Sequence, residues 1–295
     1  MIRRIFLFVL TNIAILAMVS ILLSVFNVSP YLTPYGLDYQ SLLIFAAIFG
    51  FSGSIFSLLI SKWMAKFAYH IRIITQPQDR LETEVFQMVQ NLSQAKNIGM
   101  PEFGIYDSPE VNAFATGWNK NKALVAVSSG LLESMDKDEI EGVIGHEISH
   151  IANGDMITMA LLQGVLNTFV IFFARIAAHL VQLFLRKDEE DVNLGGFAYM
   201  ITSWIFEILF GILASLILFW FSRKREYRAD AGSASALGKQ KMILALRRLS
   251  SIKDDVFDNR SKSFATMKIN NKSSLLSLFS THPDLEDRIA RLEQS

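Results

Sequence analysis

The residues whose types and spacing most plainly do chemistry are His146-Glu147-Ile148-Ser149-His150, an H-E-x-x-H pattern inside an apolar-periodic run. On a helix, residues four apart share a face, so both imidazoles can reach one metal ion. The glutamate between them then stands beside the metal's open position. That layout suits hydrolysis by a metal-activated water, with Glu147 as general base. Two histidines do not complete such a site, because a catalytic zinc takes three protein ligands and a water. The chain has no cysteine and five histidines, at 70, 146, 150, 179 and 282, so the third ligand must be His, Asp or Glu.

Glu226 is the best candidate, in Arg225-Glu226-Tyr227-Arg228-Ala229-Asp230. His150 lies seven residues before an apolar run that opens at Ile157, and Glu226 lies five after one that closes at Phe221. If the two runs form a hairpin, both ligands emerge on one membrane face, roughly 10 Å above it at 1.5 Å per helical residue. Asp230, one turn on, projects from the same side and can accept the free N–H of a ligand histidine, which fixes the ring. The competing reading of Glu226 and Asp230 is a solvated helix face among Arg223, Arg225 and Arg228. His282, before Pro283, is either an exposed residue at a helix start or a donor that stabilises a tetrahedral oxyanion. His179 lies in an apolar run and His70 beside one, and both are expected to be structural.

The elements that must position these residues begin with membrane spans. Hydrophobic residues make up 51% of the 295, and the mean hydropathy is +0.32, high for a soluble globule. Formal net charge is +0, so no basic field argues for a nucleic-acid partner. Ile5 to Phe26 is uncharged and long enough to cross a bilayer, which takes roughly 20 residues. It reads as an uncleaved signal anchor, since Asn27-Val28-Ser29-Pro30 offers no A-x-A cleavage pattern. Ser41 to Ile60 is a second run, Ile157 to Leu185 a third and Phe197 to Phe221 a fourth. Arg3 and Arg4 precede the first run and Lys62, Lys66 and Arg72 follow the second, with no Lys or Arg between. That asymmetry puts both flanks in the cytoplasm. Arg223-Lys224-Arg225 after the fourth run agrees, with Arg186 to Asp191 as a short charged loop between the third and fourth. Arg175 and Glu207 within those runs are expected to meet in bundle packing or, alternatively, to line a substrate-guiding groove.

The remaining stretches read as soluble. Gln76 to Lys96 is an amphipathic helix with Leu81, Val85, Met88, Val89 and Leu92 on its stripe. Pro101 to Tyr106, Val111 to Trp118 and Ala123 to Val127 are short strands, with a hairpin turn at Asn119-Lys120-Asn121-Lys122. Asp136 is the N-cap of the motif helix, Ile140, Val143, Ile144 and Ile151 its buried side, and Asn153-Gly154 its stop. Lys239 to Ile252 is a helix, Lys253 to Asn271 a polar mobile loop, and Pro283 to Leu292 a last helix with proline at its start.

Together His146-Glu147-x-x-His150, Glu226-x-x-x-Asp230, and Thr281-His282-Pro283 before Arg288-Ile289 resemble the HtpX family of bacterial membrane zinc metalloproteases, relatives of the CAAX prenyl endopeptidases. The resemblance covers essentially the whole chain. It implies one Zn2+ per subunit on His146, His150 and Glu226, with Glu147 as general base, Asp230 supporting His146, and His282 assisting the transition state. It also implies that Asn112-Ala113-Phe114 is an edge strand that holds the substrate backbone, a binding mode that tolerates many sequences.

The expected architecture is a mainly α integral membrane protein. Four hydrophobic helices join a cytoplasmic α+β zincin-like metalloprotease domain with a small sheet. Residues 1–72 form an N-terminal membrane hairpin, 73–156 the catalytic segment, 157–221 a second hairpin, and 222–295 the segment with the third ligand and the His-Pro. The expected activity is zinc-dependent endopeptidase cleavage of damaged or misfolded membrane proteins in quality control and stress response. Its partners are polypeptide substrates and the lipid bilayer. Its setting is the bacterial inner membrane, with the catalytic domain and both termini cytoplasmic. The alternatives are a membrane scaffold or chaperone with a structural metal site, and a prenyl-protein protease.

Overall fold

Long uncharged runs fold as helices because lipid offers the backbone no hydrogen-bond partner. In the computed structural model, which describes residues 2–28, 30–33, 36–185, 196–261 and 282–294, every apolar run is helical. The chain runs α1 (Ile2–Val25), β1 (Leu32–Thr33), β2 (Gly36–Leu37), α2 (Tyr39–Tyr69), β3 (Arg72–Ile73), α3 (Arg80–Ala95), β4 (Glu102–Tyr106), β5 (Ala113–Thr116) and β6 (Leu124–Ser128). It continues through α4 (Ser129–Ser134), α5 (Lys137–Asn153), α6 (Asp155–Leu185), α7 (Gly196–Leu237), α8 (Lys239–Ser261) and α9 (Leu285–Glu293). Among the described residues, three helices, α2, α6 and α7, are long and apolar enough to cross a membrane. The chain divides into two units: Met1–Ser57 with Met159–Leu218, and Leu58–Thr158 with Phe219–Ser295.

In the first unit, α2 and α6 approach closely where Gly50 faces Thr168 and Gly164 faces Phe51. A Cβ on Gly50 would lie 2.5 Å from Thr168 Oγ1, so the contact requires glycine. Arg175 and Glu207 meet at 2.8 Å, the pairing expected from their places in the two runs. A two-stranded ribbon pairs Leu32 with Leu37 and Thr33 with Gly36, in a linker where the sequence reading placed no strand.

The second unit holds a sheet of order β3-β4-β6-β5. β4 and β6 are parallel, and the two outer pairings are antiparallel. The three expected strands are present, and β5 and β6 form the expected hairpin. β3 was missed because two residues carry no periodicity. On one face, α3 and α5 pack through Val85, Val89, Leu92, Ile140, Ile144, Ile148 and Ile151 around Phe103 and Val125. Met242, Ile243 and Leu246 of α8 pack with Ile289 and Leu292 of α9 in a second cluster.

Some expectations need correction. α3 starts at Arg80 with Asp79 as N-cap, accepting from the Glu82 N–H, rather than at Gln76. Pro77 disfavours helical backbone at the residue before it. Leu81 therefore lies in the first turn and is 42% exposed, not on the buried stripe. A one-turn-plus helix, α4, also occupies Ser129–Ser134, between β6 and the motif helix. α8 continues to Ser261, so the loop expected from Lys253 is helical to that point; no proline or glycine interrupts 239–261. α9 opens at Leu285 with Asp284 as N-cap, which puts Pro283 just ahead of the helix. The expected loop residues 262–271, the charged loop Arg186–Asp191 and Thr281 lie outside the described residues.

Candidate active site

α5 begins with a capping box in which Asp136 accepts from the Glu139 N–H and Glu139 accepts from the Asp136 N–H. This settles two of the helix's unpaired donors and fixes its start. The helix lies tight against its neighbours because glycine faces them. A Cβ on Gly142 would meet the Lys241 carbonyl at 2.6 Å, and one on Gly145 would meet Ser233 Oγ at 2.5 Å. His146 and His150 thus face α7 with both rings buried. The apolar residues Ile144, Ile148 and Ile151 take the opposite, core side.

The rings meet edge to face, and their Nε2 atoms are 3.0 Å apart. From α7, Glu226 brings Oε2 to 3.4 Å from His146 Nε2 and Oε1 to 3.3 Å from His150 Nε2. Its Oε1 is buried, with His150 Nε2 and, at 3.5 Å, the Arg225 guanidinium as its nearest polar neighbours. One ligand atom from each of the three residues lies within 4.8 Å of the others. Neither His70 nor His179 belongs to this group.

Each ring's other nitrogen is held by a carboxylate. Asp230 Oδ1 is 2.9 Å from His146 Nδ1, and Asp155 Oδ2 is 2.6 Å from His150 Nδ1. An ionised carboxylate only accepts, so it selects the Nδ1–H form and leaves a lone pair on Nε2. Two lone pairs and a carboxylate oxygen therefore converge on one point. Such a cluster favours positive charge at that point. Two nitrogens and an oxygen suit a transition metal such as zinc, and this donor set fits one.

The electrostatics agree. Burial opposes charging of both histidines. Hydrogen bonds to Asp230 and Glu226 nevertheless raise the pKa of His146, and those to Asp155 and Glu226 raise that of His150 to about 9. Burial would raise the Glu226 pKa, but His146, His150 and His282 hold it far below the usual carboxylate range. Asp230 is likewise desolvated, yet Arg288 and His146 keep its pKa low. The carboxylates thus favour positive charge on the two rings, where a metal would sit.

Glu147 is partly buried and lines a cavity of about 310 Å³ together with His146, His150, Glu226, His282 and Asn112 to Ala115. β5 forms one wall of it and is an outer strand of the sheet. Its start is pinned by Ser128 Oγ, which accepts from the Asn112 N–H and donates to the Glu110 carbonyl. Phe114 packs on Tyr69 and Tyr106, on the sheet face away from α5. His282 reaches in from the C-terminal segment, with Nδ1 2.9 Å from Glu226 Oε2.

Three residues went unrecognised as site groups in the sequence. Asp155 follows the helix stop, and Gly154 at φ 68° turns the chain so that Asp155 returns to His150. Arg288 donates a fork to Asp230 at 2.8 and 2.6 Å, and Arg228 pairs with Asp155. A carboxylate directly after the glycine that ends the His146–His150 helix was the available signal for Asp155.

Comparison with known proteins agrees with this geometry. The profile of peptidase family M48 matches residues 77–295. The protease HtpX of Tolumonas auensis is 52% identical, over 99% of each chain. The HtpX homologues of Methylacidiphilum infernorum and Thiobacillus denitrificans are 47% and 50% identical, over 100% and 98% of this chain and 99% and 98% of theirs. The crystal structure of S. mikatae Ste24p has the same fold at a TM-score of 0.65 and 18% identity. It aligns with 99% of this chain, which spans 64% of that protein's length. A helical membrane architecture, a metal-ready His-His-Glu cluster and relatives matched end to end converge on one assignment: the chain belongs to peptidase family M48 and is an integral membrane metalloprotease similar throughout to HtpX.

Proposed function

We propose that the protein is a zinc endopeptidase in which His146, His150 and Glu226 hold the metal. The observation that carries this reading is the convergence of two Nε2 lone pairs and the Glu226 carboxylate in a cavity that Glu147 also lines. Bound zinc would supply Lewis acidity and lower the pKa of water at the site. Glu147 takes a proton from the attacking water and passes it to the leaving amine. Asp230 and Asp155 hold the ligand rings, and Arg288 and Arg228 hold those carboxylates in turn.

His282 stands at the cavity with Nδ1 on Glu226. To donate to the oxyanion through Nε2 as well, it must carry both ring protons. Asn112, Ala113 and Phe114 offer the outer edge of β5 to an extended substrate, so main-chain hydrogen bonds supply much of the affinity.

The cellular setting extends the same reading. α1 acts as a fourth span beside α2, α6 and α7, in the segments 1–72, 73–156, 157–221 and 222–295. The catalytic domain and both termini are cytoplasmic at a bacterial inner membrane, on the strength of the lysine and arginine distribution. The substrates are damaged or misfolded membrane proteins, cleaved in a stress-response role.

Glu147→Gln tests the chemistry. Purified variant should retain one zinc per chain and lose cleavage of an unfolded membrane-protein substrate by at least about 100-fold, the scale of general-base catalysis. Cleavage at the wild-type rate with zinc retained would leave the metal a structural role and sink the reading. A panel of unfolded membrane, soluble and prenylated substrates tests the choice of substrate. Preference for either of the last two would overturn the quality-control assignment.

A further inference from the structure

Directly after the apolar stretch of α7, the chain gathers positive charge around one hollow. A cavity of about 780 Å³ is lined by Trp220, Arg223, Lys224, Tyr227, Arg228 and Arg291, with Arg225 at its edge toward the active site. No carboxylate lines it among the described residues. Asp287 lines an adjoining hollow with Tyr227 and Arg291. Arg225 and Arg228 have carboxylate neighbours, Glu226 and Asp155. Lys224 and Arg291 instead sit on ring faces, with Nζ 5.4 Å from the Trp220 ring centre and the guanidinium 4.6 Å from that of Tyr227. A ring face offsets part of the charge without using an N–H donor.

Cations beyond a membrane helix need only lie near the surface to orient it. They do not need to wall a shared concavity, nor to recruit a guanidinium from α9. Cations held together repel, and a bound anion relieves that repulsion. Trp220 is 56% exposed, and tryptophan concentrates at the membrane–water boundary. Arginine forks and lysine point charges both suit phosphate oxygens.

We propose that this cavity is a binding site for the phosphate-bearing headgroup of an anionic phospholipid, gripped by Arg223, Lys224 and Arg291 beside Trp220. Clusters of lysine and arginine immediately following a span recognise such lipids. The volume lies in the range of small-molecule sites. Because Arg225 borders both cavities, an occupied headgroup site would sit next to the catalytic pocket.

The test uses the metal-loaded full chain in neutral maltoside micelles. Calorimetric titrations compare dihexanoyl phosphatidylglycerol, dihexanoyl phosphatidylcholine and inorganic phosphate, with protein-free micelles as blank. Phosphatidylglycerol should bind saturably at one site and far more tightly than the other two. At about fivefold per cation, equal to about 1 kcal/mol each, the R223Q/K224Q variant should bind it roughly 25-fold more weakly and R291Q about fivefold more weakly. Both variants should keep their metal and their cleavage of a soluble peptide. If the double variant loses its metal, R291Q, on a different helix, decides alone. Equal binding of the two lipids, or undiminished binding by the variant that keeps its metal, overturns the site. Inorganic phosphate binding as tightly as phosphatidylglycerol overturns the lipid assignment.

Discussion

His146 and His150 stand one turn apart on α5, and each gives its Nδ1 to a carboxylate that an arginine holds, yet the two supports are built differently. His150 is served from the adjacent chain, by Asp155 five residues on, with Arg228 as the outer partner. His146 is served from far away, by Asp230 of α7 and Arg288 of α9. The outer arginines differ in burial too. The Arg288 side chain is 7% exposed and that of Arg228 is 54% exposed. One support is therefore a local turn with a solvent-screened partner, and the other is a desolvated bridge joining three helices. The same chemical task can be met by chain connectivity or by tertiary packing, and with the second the inner carboxylate as well as the outer arginine depends on the fold of the C-terminal segment.

The contrast yields graded expectations. Glu226→Ala removes the carboxylate that both histidines face and that is proposed as the third ligand, so metal affinity should fall beyond the roughly 100-fold ceiling expected of a supporting carboxylate. Competition with a chelator measures it, and retention within tenfold would show that Glu226 is not a ligand. Arg288→Gln leaves Asp230 buried beside an unpaired position and should cost about 3 kcal/mol of stability. Arg228→Gln removes a half-exposed, solvent-screened partner from an Asp155 that keeps His150, and should cost less, about 1 kcal/mol. Denaturant melts of the two variants in detergent decide this, and equal losses would break the comparison.

Asp230→Asn and Asp155→Asn should each weaken metal binding by about 10- to 100-fold. The Asp230 change should fall near the upper end, because it strands the buried Arg288. The reverse order, read from chelator competition, would mean that the local turn is the more important support. The smallest effect on metal affinity is expected of Gly154→Ala. No heavy atom lies within 4 Å of its added Cβ, so only the left-handed backbone is disfavoured, by about 1–2 kcal/mol. Asp155 should shift away from His150, and a modest loss of metal affinity should accompany the stability loss. Unchanged affinity would detach the turn from the site.

Local features of the fold were legible wherever a short-range cause acts. The capping of α5 at Asp136, its stop at Gly154 and its buried residues Ile140, Val143, Ile144 and Ile151 all follow from side chains within one or two turns. The β5–β6 hairpin likewise follows from a turn between two apolar runs. Leu81 was misread because periodicity alone does not say where a helix begins. The extension of α8 to Ser261 was missed because a polar stretch without breakers reads as either loop or helix. The short strands β1, β2 and β3 escaped because a strand of two residues has no alternation to detect.

The sequence alone determined which atoms could meet a metal. An i, i+4 histidine pair can only share a helix face, the absence of cysteine confines the ligands to nitrogen and oxygen, and the long apolar runs can only satisfy their backbones as helices. What the tertiary structure decided is which carboxylate serves which ring, and what closes the shell around them. Those choices depend on α7, α9 and the turn at Gly154 approaching α5 to within a few ångströms. Hydrogen bonding and charge compensation at that range are set by packing in three dimensions, which residue spacing along the chain does not encode.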